Sequence, residues 1–247
     1  MSDPAVPSSV GSMPDSMLRR PATASERRQD AWLAAGMLVA AMLSTALGSV
    51  SGIYNGEHPD LVWGLVYAAA LTVPLAFRRQ YPMLSLIAVS TAFFVGVSSR
   101  IPELYVGNVA LFIGIYTVGA WVADRRRAAL VRILLIIAMF VWLMISIFQT
   151  ASSADGLSRE GPFSPFAAFA MIQFLVNAAF FGGAYLFGER AYTSAMERAA
   201  LEERTRELEL ERERSAAQAV ALDRVRIARE LHDVVAHHVS AMGVQAG

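Results

Sequence analysis

Three of the four histidines in this 247-residue sequence fall within seven residues, at His232, His237 and His238, and Asp233 sits beside the first. Imidazole can serve as nucleophile, proton carrier or metal ligand near neutral pH. Asp233 and His237 are four positions apart, which places them on one face of a helix at a spacing that could hold a metal ion. The helical zinc-protease pattern needs two histidines at that spacing with a glutamate after the first. His232 and His237 are five apart, so no metal site is predicted. The surrounding stretch has a helical period: Leu222, Val225, Ala228, Leu231, Val235, Val239 and Met242 recur every three or four residues as one apolar stripe. His232 stands about 100° round such a helix from Leu231, off the stripe, facing solvent or a partner. On these residues alone, surface histidines on a structural coiled coil are the plain alternative.

The run from Arg226 to Ser240, with its core Arg226-Ile227-Ala228-Arg229-Glu230-Leu231-His232-Asp233, resembles a known motif. It is similar to the dimerisation and phosphoacceptor motif of bacterial two-component sensor histidine kinases, in the class related to the nitrate and lipid-fluidity sensors. The resemblance implies that His232 takes the γ-phosphoryl group of ATP and passes it to a response-regulator aspartate. A neutral imidazole suits this, since one ring nitrogen attacks while the other carries the proton. By the same resemblance Asp233 accepts a hydrogen bond from that protonated nitrogen, fixing the tautomer and stabilising the cation that forms. His237 occupies the place where such kinases carry Gln or His for dephosphorylating the regulator, and would orient a water. His238 receives no role.

A complete kinase of this kind also needs ATP with magnesium. Neither a glycine-rich phosphate loop nor a magnesium-binding constellation occurs in the sequence, so no cofactor site is expected in this chain. The expectation is a chain truncated before its ATP-binding domain: a phosphotransferase by family, but inactive alone. The implied partners are a second copy of the chain, a response regulator that binds DNA, and membrane lipid, with no direct contact to nucleic acid.

The elements that must position His232 are membrane helices. The chain is 55% hydrophobic with a mean hydropathy of +0.43, too apolar for an ordinary soluble domain. It has no cysteine, which excludes disulfides and thiol chemistry, and all 21 basic residues are arginine. Residues 1–30 lack apolar periodicity and read as a disordered cytoplasmic tail. Six apolar segments follow, Ala31–Val50, Leu61–Phe77, Met83–Ser98, Leu104–Ala123, Ala128–Phe148 and Phe166–Phe187, each near the length of a membrane crossing. Their interiors offer Thr72, Asn108, Gln173 and Asn177 as the main polar groups. Arginines cluster before the first segment and after the second, fourth and sixth, which predicts a plasma-membrane protein with both termini cytoplasmic. External loops carry Arg100, Glu103 and Arg159 among few other charges, and His58 in one of them reads as a polar loop residue.

Fourteen of the charged residues then fall between Glu189 and Arg214, in a stretch of strong helix formers. Leu201, Leu208 and Leu222 keep a seven-residue spacing, interrupted at Ser215, a partial coiled-coil signature. The prediction is an all-α protein: a six-helix transmembrane sensor bundle over 31–187, a coiled-coil signalling helix over 188–221, and the start of the dimerisation and phosphoacceptor domain over 222–247. A catalytically inactive dimerising regulator of a full-length kinase is the second reading. A six-span transporter is the third, disfavoured because transporters place ionisable residues inside their spans.

Overall fold

A computed structural model of the protein describes residues 22–51, 60–103, 105–152 and 164–245, with side chains excepted at 150–152, 221, 225, 228 and from 230 onward. All regular structure among the described residues is helical, as expected: α1 (Ala24–Val50), α2 (Leu61–Thr72), α3 (Pro82–Ser98), α4 (Val106–Trp121), α5 (Arg125–Ser152) and α6 (Pro165–Gln245). Each apolar segment of the sequence forms the body of one helix. The chain divides into two compact units, Met1–Met196 and Glu197–Gly247.

Helix α1 starts at Ala24, inside the stretch expected to be a disordered tail. Thr23 and Glu26 form a reciprocal cap: the Thr23 hydroxyl accepts from the Glu26 amide at 3.3 Å, and the Glu26 carboxylate accepts from the Thr23 amide at 2.8 Å. Asp30 supplies the tertiary reason. It is 1% exposed and pairs with Arg78 at 2.8 Å and Arg79 at 3.2 Å in the α2–α3 turn. Residues 1–21 of the expected tail, and His58, lie outside the described residues.

Helix α2 tightens into a 3-10 turn over Val73–Phe77 where Pro74 removes a backbone donor. The Ser85 hydroxyl donates to the Pro74 carbonyl at 2.8 Å, so the start of α3 takes up the acceptor left at that break. At the other end of α3, Glu103 corrects its expected role as a loop charge. It is buried, and its carboxylate accepts from the amides of Tyr105, Val106 and Gly107 at 2.7–3.0 Å and from the Ser44 hydroxyl of α1 at 3.0 Å. A carboxylate over the first amides of α4 satisfies donors that the helix leaves open and complements its dipole.

The first unit packs α1 to α4 around Leu71, Leu75, Leu86, Leu111, Ile115 and Val118, all fully buried. Its outer faces are apolar instead of polar: Trp32, Leu134, Phe148, Leu175 and Leu186 are each more than 60% exposed. That inverted pattern is what a lipid surround stabilises. Three helices, α1, α5 and α6, are long and apolar enough to cross a membrane. The 17-residue α3 and 16-residue α4 reach about 24–26 Å, near the lower limit for a crossing. Helix α6 joins this unit through large rings, with Phe174 against Phe140 at 4.8 Å and Phe180 against Phe112 at 5.0 Å. In the second unit the helix continues to Gln245, and Leu201, Leu208 and Leu222 are exposed along it.

Candidate functional site

His232, Asp233, His237 and His238 all lie on α6. The backbone there is helical, so residues 233 and 237 are one turn apart in register; their side chains are outside the described ones. Just before them, Arg226 donates to Asp223 at 2.5 Å across one turn of the exposed helix surface.

Where α6 meets the arginine-rich end of the first unit, the structure holds a charged anchor. Arg132, in the body of α5, is fully buried. Its Nη2 donates to Glu189 Oε1, its Nε donates to the Ala128 carbonyl at 3.0 Å, and its guanidinium lies 4.1 Å from the centre of the Tyr185 ring. Arg125 Nη2 donates to the same Glu189 oxygen at 2.5 Å. Its Nη1 donates to the Gly119 carbonyl at 2.7 Å, and its guanidinium sits 4.1 Å from the centre of the Tyr192 ring. Two guanidinium groups from α5 thus share one carboxylate of α6. Burial pushes the Glu189 carboxyl up, but hydrogen bonds and charge from Arg132 and Arg125 outweigh it and hold the group below its ordinary value.

The sequence reading named only uncharged polar groups within the apolar segments, and Arg132 adds a buried charge to them. Arg132 is the single charge in the apolar segment Ala128–Phe148, and its partner lies 57 residues away. The available signal was the charge itself: an arginine within an apolar span is expensive and needs a named partner.

Backbone proximity completes the anchor. A Cβ built on Gly119 would lie 2.3 Å from Arg132 Nη1 and 2.9 Å from the Gly188 Cα, and one on Gly188 would lie 2.9 Å from the Tyr116 carbonyl oxygen. Gly119→Ala should therefore force α4 from α6 and destabilise the protein by about 1–3 kcal/mol. Gly36→Ala, where a Cβ meets open space, should be neutral or slightly stabilising. Thermal unfolding of both variants in detergent checks this, and equal melting temperatures would count against a backbone contact at Gly119.

The Asp30 cluster lies at the same end. Arg79 also pairs with Glu26 at 3.4 Å and lies 5.3 Å from the centre of the Trp121 ring at the end of α4. Helices α1, α2, α4, α5 and α6 are thus tied at this end by arginine, and sequence reasoning, which used these arginines for orientation, missed their partners.

Two family models match the chain. One, described as Domain of unknown function (DUF7134), matches residues 22–194. The chain belongs to the DUF7134 family. The DUF7134 region begins one residue before the Thr23 cap and contains all six apolar segments together with Arg125, Arg132 and Glu189. The second model, described as Histidine kinase, matches residues 223–247 and contains His232, Asp233, His237 and His238. That match supports a histidine-kinase dimerisation and phosphoacceptor segment following the DUF7134 region. No curated protein and no solved structure matches the chain.

Proposed function

We propose that the chain is the membrane-sensing and phosphoacceptor part of a two-component sensor histidine kinase of the nitrate and lipid-fluidity sensor class. The observation that carries this reading is the histidine-kinase match over residues 223–247, on the same helix that forms the sixth apolar segment. A His232 ring nitrogen forms a bond to the γ-phosphorus of ATP as the bond to the departing ADP breaks. Asp233 stabilises the imidazolium through its other nitrogen, and the phosphoryl group then passes to a response-regulator aspartate. His237 orients water when the regulator is dephosphorylated. An ATP-binding domain with magnesium supplies the donor, and the working unit is a dimer joined along the stripe that includes Leu201, Leu208 and Leu222.

The reading places six spans in the plasma membrane with the arginine-rich end and both termini in the cytoplasm. The inverted apolar surface of the bundle supports it, as does arginine at alternate loops. Helix α6 would leave the membrane at Glu189, where the two arginines of α5 grip it. A change in bundle packing that moves this grip shifts α6, and with it the access of the ATP-binding domain to His232.

The test joins the second dimerisation helix and ATP-binding domain of a kinase of the same class after Gly247, then measures labelling from γ-labelled ATP in membranes. The product should be acid-labile, as a phosphoramidate is. Asp233→Asn should lower the labelling rate about 100-fold while the dimer persists by crosslinking. Normal labelling in that variant would remove the orienting role from Asp233.

A further inference from the structure

Three of the four main polar groups named within the apolar segments, Asn108, Gln173 and Asn177, converge on one cavity of about 600 Å³. It lies within the first unit between α3 and α4 on one side and α5 and α6 on the other, at the end away from the charged anchor. That volume is in the range of pockets that take a small organic molecule. Phe93, Trp142 and Phe180 supply aromatic walls from α3, α5 and α6.

The lining decides what chemistry fits. Arg100 and Glu103 both border the cavity, so its formal charges cancel. The Glu103 carboxylate already accepts from three amides at the start of α4 and from Ser44, and its charge is opposed by Arg100. On α6, Asn177 Nδ2 donates to the Gln173 carbonyl at 2.8 Å, and the Gln173 carboxamide has no hydrogen-bond partner among the described residues. A carboxamide in an apolar helix costs free energy unless it meets a partner, and here two of them, one turn apart, face the same space.

We propose that this cavity binds an uncharged amphiphile that partitions into the membrane, its hydroxyl, carbonyl or amide head hydrogen-bonded to Gln173 and Asn177 and its apolar body against Trp142 and Phe180. Such a ligand seats between α6 and the four-helix core. Asn177 and Glu189 are 12 residues apart on α6, so ligand site and anchor are about 18 Å apart along the helix. Binding stands apart from the kinase reading; only its effect on His232 labelling rests on it.

The test uses the full chain in lipid nanodiscs, without ATP, and a long-chain fatty alcohol carrying a diazirine. Matched probes with a carboxylate or a trimethylammonium head serve as comparisons. Photolabelling mapped by mass spectrometry should be saturable for the alcohol and concentrated on Met139, Trp142 and Val176, with excess unlabelled alcohol as competitor. The paired substitution Gln173→Leu with Asn177→Leu should weaken saturable labelling about tenfold, the scale of two lost hydrogen bonds. Val176→Trp, which fills the space from a partly lipid-exposed position, should abolish it while the melting temperature holds.

Labelling that never saturates and spreads evenly over lipid-facing Leu134, Ile137 and Leu175 would overturn the proposal. So would preferential labelling by either charged probe. Mass spectrometry of lipids carried by the purified protein separates the two sources. A stoichiometric neutral lipid that the paired variant loses identifies a resident lipid, and a wild-type protein that arrives empty yet takes the probe identifies an exogenous amphiphile. Saturable binding by the chain, together with a His232 that never labels from ATP once an ATP-binding domain is joined after Gly247, would sink the kinase reading alone.

Discussion

His232→Gln should abolish ATP-dependent labelling of the chain joined to an ATP-binding domain, by at least about 1000-fold, with membrane insertion and melting temperature unchanged. Glutamine is close in size and keeps a hydrogen-bonding group, but its amide nitrogen has no lone pair available to attack phosphorus. Three imidazoles stand within seven residues on α6, so the measurement must include the site as well as the amount of label. Label retained in the variant and mapped to His237 or His238 would move the phosphoacceptor and with it every role assigned around it. His238→Gln should label as the unaltered protein does, since no partner function falls to it.

Glu189→Leu should cost about 2–4 kcal/mol, read as a lowered melting temperature in detergent or nanodiscs. The substitution strands Arg132, a fully buried guanidinium, and removing one partner of a buried pair is expensive because a charge remains uncompensated. The figure sits below the value for a fully enclosed pair because the Glu189 side chain is 38% exposed and water screens it. Arg132→Leu together with Glu189→Leu should recover most of the loss, since the stranded charge goes too. A double variant as unstable as the single one would show that Arg132 matters through packing on Tyr185 instead. The pH dependence follows from the lowered pKa of Glu189. The anchor's electrostatic stabilisation is complete above the ordinary value of 4.5 and drains away as pH falls through the lower folded value.

Helix positions were legible because a crossing must be a long apolar run, and each run is bounded by charge or proline. Leu61–Phe77 was read as one segment, and it is one, although Pro74 turns its last five residues into a 3-10 turn. What the pattern hid were partners distant in sequence. Arg132 reads as one tolerated charge until Glu189 is beside it, and Arg78 and Arg79 read as orientation signals until Asp30 is found beneath them. Glu103 looked like an ordinary loop acid because capping depends on where α4 begins, a boundary that hydropathy does not resolve. Gly119 and Gly188 were silent for a related reason: a close crossing of two helices leaves no periodic trace. The phosphoacceptor segment was legible in the opposite way, through a contiguous motif whose meaning needs no tertiary contact. Asn108, Gln173 and Asn177 stood out singly as polar, and only the fold brings them to one cavity.

Asp30 meets its arginines across 48 residues of sequence. At the usual pace of translation, about 5–20 residues per second, the first span waits some 2–10 s for them. During that interval Asp30 lacks the two arginines that it pairs with in the folded protein. The charged closure between α1 and the α2–α3 turn therefore forms only after Arg78 and Arg79 have been made, well after α1 itself.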